Sequence, residues 1–210
     1  MNYRDFFTVS KMRRFQNWMF MLAFIGLTGF YGRSQTIQLG SGTGTTSYFP
    51  LYYNYDYNYS QTIYTAAEMQ AQGASATGGT ITKIRYKATS TVATTNWRDW
   101  VVYLGNTPNV GFASVASFIP PSSMTEVFNG QIPANVTAGQ WMEITLTTPF
   151  VWNGTDNIVV AIDENTSAYG GSTSWQGYTL APSTGSKGIY FYQDGTDIDP
   201  LSPTASTQNA

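Results

Sequence analysis

Apolar and polar residues alternate with a period of two along much of the chain beyond residue 35, and the alternation assigns faces to several strands. From Arg98 to Leu104, the residues Trp100, Val102 and Leu104 fall on one face and Asp99, Val101 and Tyr103 on the other, so the first set is expected in a core. From Gln140 to Leu146, the residues Met142, Ile144 and Leu146 alternate with Trp141, Glu143 and Thr145, the pattern of a half-buried antiparallel strand. Asn157 to Asp163 is apolar on both faces, Ile158, Val160 and Ile162 against Val159 and Ala161, which suits a central strand ended by Asp163 and Glu164. Thr80 to Lys87 and Gly188 to Tyr192 read as strands too, with weaker ones at Thr36 to Leu39, Gln61 to Tyr64, Thr125 to Phe128 and Ser172 to Thr179. One short helix is expected, Thr65 to Gln72, because Gly73 and Gly78-Gly79 stop it after a turn or two. So many short strands without intervening helices predict an all-β fold, an antiparallel β-sandwich of jelly-roll-like kind.

The first 34 residues follow another pattern. The cations Lys11, Arg13 and Arg14 precede an uncharged run from Phe15 to Phe30, and polar Tyr31 to Gln35 follow. The strongly apolar part, Trp18 to Phe30, is shorter than the roughly 20 residues that a membrane-spanning helix needs. Segment 1–34 therefore reads as a signal peptide rather than a retained anchor. Gly32-Arg33-Ser34 offers small residues before a cut that frees Gln35, and Met12 is an alternative start. One β domain, 35–196, is expected next, and a chain of this length can bury a core without staples. From Asp197 the Pro-, Ser- and Thr-rich stretch 197–210 reads as a linker towards further domains of a longer chain.

Only 10% of the residues are charged and 16% are aromatic, where an average globular chain has roughly 25% charged residues. Removal of 1–34 leaves five of the ten Lys/Arg and eleven of the twelve Asp/Glu, a net charge of −6. An acidic domain without clustered cations is a poor partner for nucleic acid or for anionic membrane surfaces, and no membrane insertion is expected once the signal has gone. The absence of Cys and His excludes disulfides, Cys/His zinc sites, thiolate nucleophiles and His-based triads. The enzyme chemistry left open is glycoside hydrolysis by a carboxylate pair, with Glu143 and Glu164 as the least unsuitable choice. Adjacent Asp163 and Glu164 point to opposite faces if extended and do not serve as that pair. No catalytic residue is expected.

Candidate binding residues lie in the loop after Asp163-Glu164-Asn165, where Tyr169, Trp175 and Tyr178 stand among small residues. Aromatic platforms beside Glu164 and Asn165 suit a sugar, whereas the bland reading has Trp175 capping the core. Tyr53, Tyr55, Tyr57 and Tyr59 alternate with Asn54, Asp56 and Asn58, so an extended conformation makes one aromatic face, available for core packing, a sugar or strand pairing with another chain. Asp194, Asp197 and Asp199 cluster in a turn-prone stretch, either as a partial Ca²⁺ cage, which takes about six to eight oxygen ligands, or as a solvated acidic linker. Lys83, Arg85 and Lys87 form a stripe, expected as a solvated strand face paired with neighbouring carboxylates. Asn153-Gly154 reads as a turn, and the N-x-[ST] matches at Asn58, Asn135, Asn153 and Asn165 read as incidental.

The stretches TIQLGSGTGTTSYFPLYYNYDYNYSQTIYTAAEM, DWVVYLGNT, SSMTEVFNG and ITLTTPFVWNGTDNIVVAIDENT followed by a Gly/Ser loop carry a resemblance over about Thr36 to Pro203. They resemble the N-terminal β-sandwich domains of secreted and cell-surface proteins of Bacteroidetes-type bacteria. Such domains commonly accompany fibronectin type III modules and a type IX sorting domain, and the cleaved adhesin domains of gingipain-type proteases are related jelly rolls that bind rather than cleave. The resemblance implies secretion or surface attachment. With the residues above, it leads to the expectation of a non-catalytic adhesion or glycan-binding module whose partner is an extracellular glycan or a surface protein. A structural or assembly spacer is the alternative.

Overall fold

The computed structural model describes residues 34–40, 43–171, 173–177 and 186–203 and the backbone of 208–209. Residues 1–33 of the expected signal peptide, and Tyr178 and Thr179, lie outside the described residues. The chain divides into the units Met1–Thr36 and Ile37–Ala210, and all described strands belong to the second. The protein is mostly β, with antiparallel pairing throughout the described sheets.

In chain order the elements are β1 (Thr45–Thr46), β2 (Tyr57–Tyr64), α1 (Ala66–Ala71), β3 (Gly79–Lys87), β4 (Val92–Ala93), β5 (Asp99–Thr107) and β6 (Thr125–Gln131). Then come β7 (Asn135–Val136), β8 (Trp141–Trp152), β9 (Asn157–Glu164), β10 (Trp175–Gln176), β11 (Gly188–Gln193) and β12 (Gln208–Asn209). The largest sheet has six strands in the order β12-β11-β2-β9-β5-β6, and β3 pairs with β8, β1 with β10 and β4 with β7. Strand β9 is central because both its faces are apolar, and it pairs with β2 on one edge and β5 on the other.

Side chains of β3–β8 and one face of the six-stranded sheet share the main core. Trp100, Val102 and Leu104 of β5, Ile158, Val160 and Ile162 of β9 and Met142, Ile144 and Leu146 of β8 are all buried in it. The opposite face of the large sheet lies under the segment before β6. There Ile63, Val159 and Ile189 meet Phe112, Phe118, Ile119 and Met124, and Tyr59 and Ala161 meet Ile198. Buried Gln61 fixes this cover to the sheet: its Nε2 donates to the Ile119 carbonyl at 2.6 Å and its Oε1 accepts from Ile119 N at 2.8 Å. Ile198, within the stretch expected as a linker, is therefore part of the packed structure.

The helix α1 is nucleated by a capping box. Thr65 Oγ1 accepts from Glu68 N at 3.2 Å and Glu68 Oε2 accepts from Thr65 N at 2.8 Å. Strand β8 continues past the alternation that ends at Leu146 and contains Pro149. Its register against β3 shifts between the pairs Lys83↔Thr145 and Ile81↔Phe150, so Pro149, which has no N–H to donate, falls in an irregular stretch of the ladder. Thr36 to Leu39 forms no strand; Ile37 and Leu39 instead pack half-buried against the core. Among the described residues no helix is long and apolar enough to cross a membrane.

Candidate functional site

The end of β9 is where the predicted binding residues begin, and the structure separates them. Glu164 is 0% exposed. Its cross-strand partners are Asn58 of β2 and Trp100 of β5, which places it inside a three-strand pairing rather than at a rim. Burial pushes its carboxyl up to about 8, partly offset by Thr166 and Asn58. Oε1 accepts from Thr166 N at 2.9 Å, while Oε2 has no partner among the described residues. Asp163 points to the other face, where burial, opposed by Asn165 and reinforced by Asp197 and Asp199, raises it to about 7. Half-buried Asn165 donates its backbone N–H to the Asp99 carbonyl at 2.8 Å and its Nδ2 to Asp163 Oδ2 at 3.3 Å.

Beyond Thr166 the loop reaches the surface. Tyr169 is 65% exposed, yet its backbone is held on both sides. Its carbonyl accepts from Asn96 Nδ2 at 2.9 Å, and Gly170 N donates to the Tyr53 carbonyl at 2.9 Å. Gly170 and Gly171 follow at φ of 104° and 95°, a pair of left-handed residues that turns the chain away after Tyr169. The ring is thus presented to solvent on an anchored backbone.

Trp175 does not share that surface. It is 1% exposed, with its ring edge-on to Trp97 at 6.0 Å and to Tyr86 at 6.1 Å, so it packs in the core instead of offering a face to a ligand. A loop in sequence becomes core here because β10 pairs with β1, and Trp175 also bridges Ala88.

Nor does the acidic turn gather into a cage. Asp194 Oδ1 accepts from Asp56 N at 3.2 Å, Asp197 Oδ1 from Ile198 N at 2.8 Å and Asp199 Oδ1 from Leu201 N at 2.9 Å. Among the described residues no group of three or more acidic side chains could hold a metal ion. Glu143 is bound by Lys83 Nζ at 2.5 Å and by Arg85, whose Nε donates at 2.8 Å, on the outward face of β3–β8; these partners pull its pKa down. Glu164 lies on the core face of β9, so the two carboxylates weighed as the least unsuitable pair for hydrolysis do not face a common cleft.

The Tyr-rich segment gives a cluster that the period-two reading missed. Tyr53 to Asp56 turn rather than extend, and only Tyr57 and Tyr59 lie on one face of β2. Since β2 lies between β11 and β9, it has no free edge to pair with another chain. Tyr52 and Tyr55 swing to the other side, where β11 supplies Tyr190 and Tyr192. A column forms: Tyr48 stacks on Tyr190 at 4.8 Å, Tyr190 on Tyr192 at 5.9 Å, and Tyr192 meets Tyr55 at 4.1 Å. Tyr52 leans on it, 4.8 Å from Tyr48 and 5.0 Å from Tyr192. Buried Asn58 holds this turn, its Oδ1 accepting from Tyr52 N at 3.1 Å and its Nδ2 donating to the Tyr55 carbonyl at 3.2 Å. Tyr53 lies 6.1 Å from Tyr52 and receives the Gly170 N–H, so the Tyr169 loop and the column adjoin. The sequence signals were the tyrosine density of 48–59 and the alternation of Tyr190 and Tyr192; their meeting is a matter of strand order.

Compared with known proteins, the chain matches no family model, no curated protein and no solved structure.

Proposed function

We propose that this chain is a non-catalytic binding module of an exported protein, secreted or held at the cell surface, that recognises an extracellular glycan through its tyrosine surface. The observation that carries the reading is Tyr169, an exposed ring on a backbone anchored by Asn96 and Tyr53, next to the column of Tyr48, Tyr52, Tyr55, Tyr190 and Tyr192. An open aromatic face on a rigid support binds the apolar face of a sugar ring with little ordering cost. Two sheets closing on one core are what an antiparallel sandwich of jelly-roll-like kind would have, with binding loops at its end. The resemblance of residues 36–203 to exported bacterial β-sandwich domains points the same way.

The test is calorimetric titration of the processed chain with a panel of oligosaccharides. Tyr169→Ala is expected to weaken binding by about tenfold, the worth of one aromatic contact, and to leave the melting temperature unchanged. Absence of saccharide binding by the parent chain, or unchanged binding by Tyr169→Ala, rejects the reading.

A further inference from the structure

Among the described residues, the tyrosine column is flanked by carboxylates and by no cation. Five Lys/Arg lie beyond residue 35, and each has its place elsewhere. Lys83 and Arg85 bind Glu143, and Lys87 sits 6.0 Å over the Trp141 ring. Arg98 Nε donates to the Ile132 carbonyl at 2.8 Å, and Lys187 lies 3.7 Å from Glu68. The column instead has Asp56 directly after Tyr55, and Asp194 two residues after Tyr192. These two carboxylates lock the site reciprocally: Asp194 Oδ1 accepts from Asp56 N at 3.2 Å, and Asp56 Oδ2 accepts from Gly195 N at 3.1 Å. One oxygen of each, Asp56 Oδ1 and Asp194 Oδ2, has no partner among the described residues. Asp194 also acts on the Tyr55 phenol, which burial first, then Tyr192, Tyr52 and Asp194 push upward.

We infer that Asp56 and Asp194 are the specificity rim of this surface: they accept hydrogen bonds from hydroxyl groups of a neutral pyranose and turn away glycans that carry carboxylate or sulfate. The inference rests on the glycan reading above and narrows it. Hydroxyl donors to an ionised carboxylate make stronger bonds than neutral pairs do. An anionic sugar would stand beside two like charges with no cation to offset them. A cationic ligand fits the charge but not the rings, since a cage for a cation needs rings facing a void. These rings touch one another at 4.1 to 5.9 Å and so enclose no such void.

The experiment titrates the processed chain with neutral and uronate-bearing oligosaccharides of equal length, and separately with an Arg-rich peptide. The neutral series is expected to bind at least about tenfold more tightly than the acidic one at low salt. Asp194→Asn retains the backbone acceptor and should weaken neutral binding several-fold. Asp194→Lys, checked for an unchanged melting temperature, should reverse the preference. Equal binding of both series by the parent chain sinks the charge rim but leaves the glycan reading standing. Binding of neither series, or of the peptide alone, sinks both.

Discussion

Glu164 ends its strand inside the protein, and its proton becomes a term in stability. The unfolded chain releases that proton near the ordinary value of 4.5, whereas the folded chain holds it to about 8. Between those values the folded state binds more protons than the unfolded one, so stability is complete below the lower value and falls as pH rises through the higher. Asp163 has the same sign over a window from 3.8 to about 7. The melting temperature should therefore decline between about pH 5 and about pH 8, by the equivalent of a few kcal/mol on the scale of 1.36 kcal/mol per unit. Glu164→Gln should flatten much of that slope; a slope identical in Glu164→Gln and the parent chain would show that Glu164 is not its source. In sequence, Glu164 read as a solvent-facing ligand residue beside Asn165. Its flanks are polar, and nothing local reveals that Asn58 of β2 and Trp100 of β5, both distant in the chain, become its cross-strand partners.

At the scale of elements, local patterns were dependable where the chain's own periodicity set the outcome. The faces of β5, β8 and β9, the stop after α1 and the Asn153-Gly154 turn follow from residues within a few positions of one another. That turn is held by Asn153 Oδ1, which accepts from Thr155 N at 3.0 Å and Asp156 N at 2.9 Å. It is also tighter than a turn signal conveys: Gly154 has φ of 85°, and a Cβ there would meet Gly78 N at 2.3 Å and the Ala76 carbonyl oxygen at 2.5 Å. Gly139 has a similar φ of 74° but open space around it. Gly154→Ala should thus destabilise the fold by roughly 2 to 4 kcal/mol and Gly139→Ala by about 1 kcal/mol, read from urea unfolding midpoints. Equal losses at the two sites would mean that backbone conformation, not the close approach to 76–78, sets the cost. What no local pattern conveyed was the run of β8 through Pro149, because the irregular register that accommodates it belongs to the pairing with β3.

For the whole molecule, export and charge are one question. The proposed cleavage after Ser34 would remove the basic cluster and leave a chain of net charge −6 whose five cations all have the places described above. Intact-mass measurement of the exported product should give a chain beginning at Gln35; a product that keeps residues before it would retain the basic cluster and weaken the case for an anion-rejecting surface. By itself the sequence determined the all-β character, the inward faces of the long strands, the short helix and the absence of Cys and His chemistry, because each depends on composition or on neighbours a few residues apart. Tertiary structure alone decided that Trp175 is core, that Glu164 is buried, and that Tyr55 meets Tyr192 and Asp56 meets Asp194 across 138 residues. Those outcomes follow from which strands become neighbours, and strand order in a sheet is settled by long-range pairing that no local period encodes.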